Sequence, residues 1–185
     1  MKFSALESIV KNGLKSDKSG HDFKHIMRVY KFALEIAKSE KKVDLEILRA
    51  STLLHDIAFS KGFFKGEHGD VSAKLAKPIL LKSGFPKSKI PNVLIAIEVH
   101  NYWFHNEKNV PIEAKILRDA DKLDAIGYNG IIRMILYCIN ANKSIKQELR
   151  DLSKIESRFE TKKGKQLAKE RIKIIKDFSA NLDKE

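Results

Sequence analysis

From Phe3 to Phe178 the apolar residues return every three or four positions, and few segments alternate with period two. Helices bury such a pattern and strands do not, so the chain is expected to be all-α, a bundle of about seven or more helices. Phe3, Leu6, Ile9, Val10 and Leu14 mark a first helix that ends near 15–20. Asp22 is placed to cap a second helix, with Phe23, Ile26, Tyr30, Ala33, Leu34 and Ala37 as its buried stripe. A third runs from the cap Asp44 to the pair His55-Asp56. The stretch 58–66 holds two glycines and three aromatics and reads as a loop. A fourth helix begins at Glu67 or His68 and stops at Gly84, with Pro78 expected to kink or split it. A fifth follows Pro86 and carries Val93, Ile97 and His100; a sixth takes Pro111 in its first turn and carries Ala114, Leu117, Asp121 and Asp124. Gly127 and Gly130 are expected to interrupt before the run 131–139, and Leu167, Arg171, Ile174 and Phe178 trace a last helix.

At 185 residues the chain suits one domain, 1–185, with its core over about 20–140 and the C-terminal helices packed on it. No stretch approaches the roughly 18 to 20 apolar residues of a membrane span. A charged residue already stands in the first seven positions, where a signal peptide would be apolar, so a cytoplasmic protein is expected. The single cysteine, Cys138, excludes an internal disulfide and sits in an apolar run as a core residue. A net charge of +12 favours polyanions. The lysines are spread along the chain among acidic neighbours, so charge alone does not choose a partner.

The chemistry gathers at Leu53-Leu54-His55-Asp56-Ile57, where an imidazole and a carboxylate end an apolar run. Ionisable groups beside that much apolar surface are costly to bury unpaired. A divalent metal is the simplest common partner, since imidazole nitrogen and carboxylate oxygen are its usual ligands. Adjacent helical residues point about 100° apart, so both reach one ion only at a helix end or bend. His25 lies in the apolar arc of the second helix, and Asp121 with Asp124 lies on the inward face of the sixth.

The order His25, His55-Asp56, Asp121 in a helical chain resembles the HD-domain metal-dependent phosphohydrolase superfamily, over about Gly20 to Arg133. The resemblance implies that these four hold one divalent metal: Mn, Fe, Co, Ni or Zn, with Mg also admissible. A second metal is an option through His68 and His100, which lie between the HD pair and the last aspartate. His68 matches the histidine that faces the substrate in triphosphate-cleaving members, and Lys122 matches a lysine on substrate phosphate. Arg28, Lys61 and Lys65 are further phosphate candidates. Asp124 or Glu98 is placed to take a proton from water or to orient a ligand histidine. His105 is placed at a rim, and Tyr102, Trp103 and Phe104 either stack on a base, close the pocket or, as is commoner for such a cluster, pack in the core.

The implied activity is hydrolysis of a small phosphorylated compound, with a nucleotide as the expected kind, by release of phosphate or pyrophosphate. The Glu-Asp pair of alarmone hydrolases is replaced here by Ile57-Ala58-Phe59-Ser60, and no glycine-rich phosphate loop is present. Two other classes stand beside it. A di-iron oxygenase on the same frame needs both His68 and His100 as ligands. A basic helical module would bind nucleotide or nucleic acid without turnover, its affinity falling with salt. Nucleic acid is the less favoured partner, no membrane is expected, and the oligomeric state is left open.

Overall fold

Two aspartates start the helices that position His25 and His55. Asp22 accepts a hydrogen bond from the His25 amide, and Asp44 accepts from the amides of Glu46 and Ile47, so each satisfies first-turn donors that the helix cannot. The computed structural model describes residues 3–62, 68–101, 110–182 and 184. Among them run α1 (Phe3–Gly13), α2 (Phe23–Ala37), α3 (Leu45–Leu54), α4 (His68–Lys82), α5 (Ile90–Glu98), α6 (Ile112–Asp124), α7 (Gly127–Ala141), α8 (Ile145–Ser153) and α9 (Lys162–Leu182). Three 3-10 turns join them, at Ile57–Lys61, Lys87–Lys89 and Ile155–Arg158, and no strand occurs among the described residues. None of these helices is long and apolar enough to cross a membrane.

The apolar residues fall into two main clusters that meet along α2 and α3. Leu6, Leu14, Ile26, Leu53, Leu80 and Ile97 build one from α1 to α5. Val29, Leu48, Leu117, Met134, Leu149 and Ile172 build the other, joining α2 and α3 to α6 through α9. His25 and His55 lie fully buried on the seam between the two. Helix α6 is buried on nearly every side, from Glu113 to Asp124, which forces each of its charged residues to find a partner inside the protein.

Four local expectations change. The segment after the HD pair is a 3-10 turn with Ile57, Ala58 and Phe59 buried, closed by Gly62 at φ 70°, where a left-handed backbone favours glycine; residues 63–67 lie outside those described. Helix α4 continues through Pro78, because Pro78 and Lys74 are both exposed and the carbonyl that loses its donor stays hydrated. Pro111 is the cap before α6 and not its first turn. Gly127 and Gly130 do not interrupt α7 but begin it: a Cβ on Gly130 would lie 2.4 Å from the Ala125 carbonyl, so glycine lets α6 and α7 abut.

Candidate metal centre

His55 and His100 reach the centre by the same local device. Each stands just past a helix end, α3 and α5, and donates its Nδ1–H to a last-turn carbonyl: His55 to Thr52 at 2.8 Å, His100 to Ile97 at 2.5 Å. Carbonyls at a helix end have acceptor capacity to spare, and although the Ile97 carbonyl also takes the His100 amide at 3.4 Å, each ring satisfies its helix end while the helix end fixes the ring. Nε2 is then the lone-pair nitrogen on both. His25 is fixed from the other direction, its Nδ1–H donated to Asp124 Oδ2 at 2.7 Å. Arg28 (2.6 Å) and Arg133 (2.9 Å) hold that same carboxylate. At the end of α3 the backbone of Asp56 turns to φ −108°, ψ 17°, entering the 3-10 turn, and this bend lets neighbours His55 and Asp56 aim at one point.

The donors form two groups that share one carboxylate. Asp56 Oδ2 lies 3.0 Å from His25 Nε2 and 3.4 Å from His55 Nε2, and the two ring nitrogens are 3.3 Å apart. Asp56 Oδ1 lies 3.0 Å from His68 Nε2 and 3.4 Å from His100 Nε2, themselves 3.0 Å apart. The histidines of this second group meet because α4 starts against the end of α5: a Cβ on Gly69 would lie 2.3 Å from the Glu98 carbonyl oxygen. Asp121 Oδ1 is 3.7 Å from His25 Nε2, at the edge of the first group.

This donor set fits divalent cations. Lone-pair nitrogens face each other at distances that repel unless something positive lies between. Asp56 Oδ1 is buried and makes no hydrogen bond among the described residues. The tautomers of His25, His55 and His100 are fixed from behind, as metal-binding imidazoles require. In α6, Asp119, Lys122 and Asp124 all hydrogen-bond to protein, whereas Asp121 has no such bond among the described residues.

The protonation states follow from burial and these partners. Burial pushes His55 down to about 4. It acts on His25 in the same direction, yet hydrogen bonds to Asp124 and Asp56 outweigh it and leave His25 raised. Burial alone would raise Asp56, but the imidazoles around it hold it well below the usual carboxylate range.

A pH prediction follows for metal-stripped protein. His55 binds its proton more weakly folded than unfolded, so its contribution is complete above pH 6.5 and lost as pH falls toward 4, about 3 kcal/mol in all. Urea denaturation should therefore show the stability difference between wild type and His55→Gln shifting against wild type by about that much between pH 7 and 4. A constant difference would contradict the burial of this ring.

A cavity of about 450 Å³ opens over the centre, with Asp56, His68 and Asp121 at its inner end and Tyr137, Lys143 and Glu148 farther out. His21 and Arg133 also line it, and neither stood out as a site residue in the sequence. His21 stacks on Phe59 at 3.9 Å, and its Nδ1 lies 2.9 Å from Ser19 Oγ, whose hydrogen goes to Asp17. A signal for it existed: His21 directly precedes the cap Asp22 and stands four residues before His25.

Several other candidates lie elsewhere. Lys122 is not at the cavity: its ammonium is buried against the Arg158 carbonyl at 2.6 Å, near Asp119 and over the Phe159 ring. Asp124 is sealed behind His25 and does not line the cavity, so of its two expected roles only orienting the ring fits its position. Arg28 spends Nε and Nη2 on Asp124. Lys61 and Glu98 are exposed and do not line the cavity. Lys65, Tyr102, Trp103, Phe104 and His105 lie outside the described residues.

Comparison with known proteins agrees with this architecture. The HD domain family model matches residues 22–126, from the α2 cap to just past α6. The uncharacterized protein YpgQ of Bacillus subtilis is 26% identical over 95% of this chain and 89% of its own length. A YpgQ structure in complex with ADP superposes with a TM-score of 0.75 at 24% identity, covering 99% of this chain and 97% of that one. An HD-superfamily hydrolase from Bacillus thuringiensis gives a TM-score of 0.74 at 26% identity, over 98% and 95%. A protein named predicted HD superfamily hydrolase, from an uncultured Thermotogales bacterium, gives 0.70 at 29%, over 97% and 90%. The family match, these hydrolase neighbours and the buried His/Asp donor groups together support a metal-dependent hydrolase. With its capped α2, its HD pair at the end of α3 and its aspartate on α6, the chain belongs to the HD domain family.

Proposed function

We propose that this protein is a metal-dependent phosphohydrolase acting, as a single domain, on a small phosphorylated compound of the nucleotide class. One observation carries the reading: a buried carboxylate, Asp56, turns each of its oxygens to a different pair of imidazoles at the inner end of a nucleotide-sized cavity. The fold match to YpgQ, a protein solved with ADP, supports a nucleotide as the ligand class.

His25, His55, Asp56 and Asp121 would hold one cation; Asp56, His68 and His100 would hold a second. Bound there, a divalent ion supplies a water ionised near neutrality and a polarised phosphoryl oxygen. The residues of the chain position and protect. Asp124 keeps the His25 proton on Nδ1, and the Thr52 and Ile97 carbonyls do the same for His55 and His100. His68, its side chain 18% exposed at the cavity, can hand a proton from Nε2 to the leaving oxygen when only one cation is held.

The test is metal analysis of purified protein, then a phosphate-release screen over nucleoside mono-, di- and triphosphates with Mn, Mg, Co and Ni. Metal-dependent release of phosphate or pyrophosphate is expected, and no release with any metal would contradict the reading. His68→Ala separates one cation from two. With one, metal content is kept and the rate falls about 10²- to 10⁴-fold. With two, metal content drops by half.

A second reading has a specific observation behind it. A di-iron oxygenase needs His68 and His100 together, and both face Asp56 Oδ1. Oxygen uptake by the Fe(II)-loaded protein with a candidate substrate would favour it over hydrolysis.

A further inference from the structure

We propose that Arg133, on α7, is the residue that grips a phosphate group of the substrate beside the metal centre. Its ligand class rests on the phosphohydrolase reading. The placement rests on the geometry.

Three observations converge on it. The guanidinium is held in a fixed plane: Nε donates to the Gly20 carbonyl at 2.8 Å and Nη1 to Asp124 Oδ2 at 2.9 Å. Gly20, at φ 92°, lets the loop before α2 lie flush on the arginine stem, since a Cβ there would come 3.3 Å from Arg133 Cγ. Nη2 is left with no hydrogen bond among the described residues, and Arg133 lines the cavity that holds Asp56 and Asp121.

The charges point the same way. The Asp124 carboxylate is shared by two guanidiniums, Arg28 and Arg133, so this group carries positive charge beyond what one carboxylate neutralises. Arg28 puts two of its three nitrogens on Asp124 and does not line the cavity. Among the described residues, the permanent cations that line the cavity are Arg133 and Lys143, and Lys143 pairs with Glu148 at 3.1 Å over the Tyr137 ring. An oriented guanidinium with a spare edge matches phosphate geometry, and a lysine does not. This is the cationic role that Lys122 cannot fill from its buried position.

The experiment uses Mn-loaded full-length protein with inorganic phosphate as probe, read by ³¹P line broadening from the paramagnetic ion, with Mn content measured on each sample. Wild type is expected to bind phosphate. Arg133→Gln should keep its Mn and bind phosphate about tenfold to a hundredfold more weakly, the effect of losing a charge-assisted hydrogen bond. Unchanged phosphate affinity in Arg133→Gln at full Mn content, or no phosphate binding by wild type, overturns the proposal.

If Arg133→Gln sheds its Mn because Asp124 and His25 come loose, Arg133→Lys decides. Its ammonium still pairs with Asp124 but offers no second edge, so weaker phosphate binding at full Mn content is expected. Equal binding, or loss of Mn here too, reduces Arg133 to a brace and overturns the proposal. Turnover is scored apart from this. Arg133-dependent phosphate binding in a protein that hydrolyses no nucleotide sinks the hydrolase reading and keeps the subsite. Normal turnover with undiminished phosphate binding in both variants does the opposite.

Discussion

Replacing Asp56 with alanine is expected to empty both histidine groups in one step and to abolish hydrolysis. Among the described residues no other side chain faces both: Oδ2 serves His25 and His55, and Oδ1 serves His68 and His100. Without the carboxylate, four imidazoles remain, with Asp121 at the edge of one pair, and neither pair keeps a shared oxygen ligand. Turnover should fall by about three orders of magnitude or more, a barrier increase of roughly 4 kcal/mol. The helices should survive, because a buried carboxylate is costly to desolvate and its loss is not a packing defect. Metal analysis and circular dichroism on the same sample check this. Full metal content in Asp56→Ala would contradict the shared-carboxylate arrangement.

The second large effect is on stability. Asp124→Ala should destabilise the protein by about 3–5 kcal/mol, the cost of leaving buried opposite charges without their partner. Asp124 is fully buried, and it binds Arg28, Arg133 and the His25 ring at once. Its removal also frees His25 to rotate, so metal affinity should drop about 10- to 100-fold. Asp121→Ala, one turn earlier on the same helix, should behave oppositely: metal and activity lost, stability nearly kept, since Asp121 has no protein hydrogen bond to lose among the described residues. Urea denaturation and metal titration of the two variants side by side test the contrast. Matching phenotypes would show that the roles assigned to these aspartates are wrong.

What the sequence made legible was local. Asp22 and Asp44 act within one turn of themselves, and the spacing of Ile26, Val29 and Ala33 shows which way α2 faces. The bend after α3 could be anticipated because His55 and Asp56 cannot otherwise share an ion. What stayed hidden depends on chain segments far apart. Lys122 matched, through the family resemblance, a lysine on substrate phosphate, yet it is buried against Arg158, thirty-six residues on. Asp119, off the acidic face of α6, accepts from the amides of Glu160 and Thr161 and so anchors the chain entering α9. An amphipathic reading assumes one wet face, and α6 has none, so its charged residues could not be sorted by periodicity. Arg133 was invisible for the same reason: its partners are Gly20, 113 residues away, and Asp124 across the α6–α7 turn. The C-terminal helices, beyond the part the family model matches, thus supply a wall of the site.

The most direct test is an anomalous difference map from crystals grown with Mn²⁺ or Zn²⁺. The account predicts a peak about 2.0–2.2 Å from His25 Nε2, His55 Nε2 and Asp56 Oδ2, with Asp121 closing the shell. A map with no peak between those three atoms, from crystals that contain the metal, would contradict it.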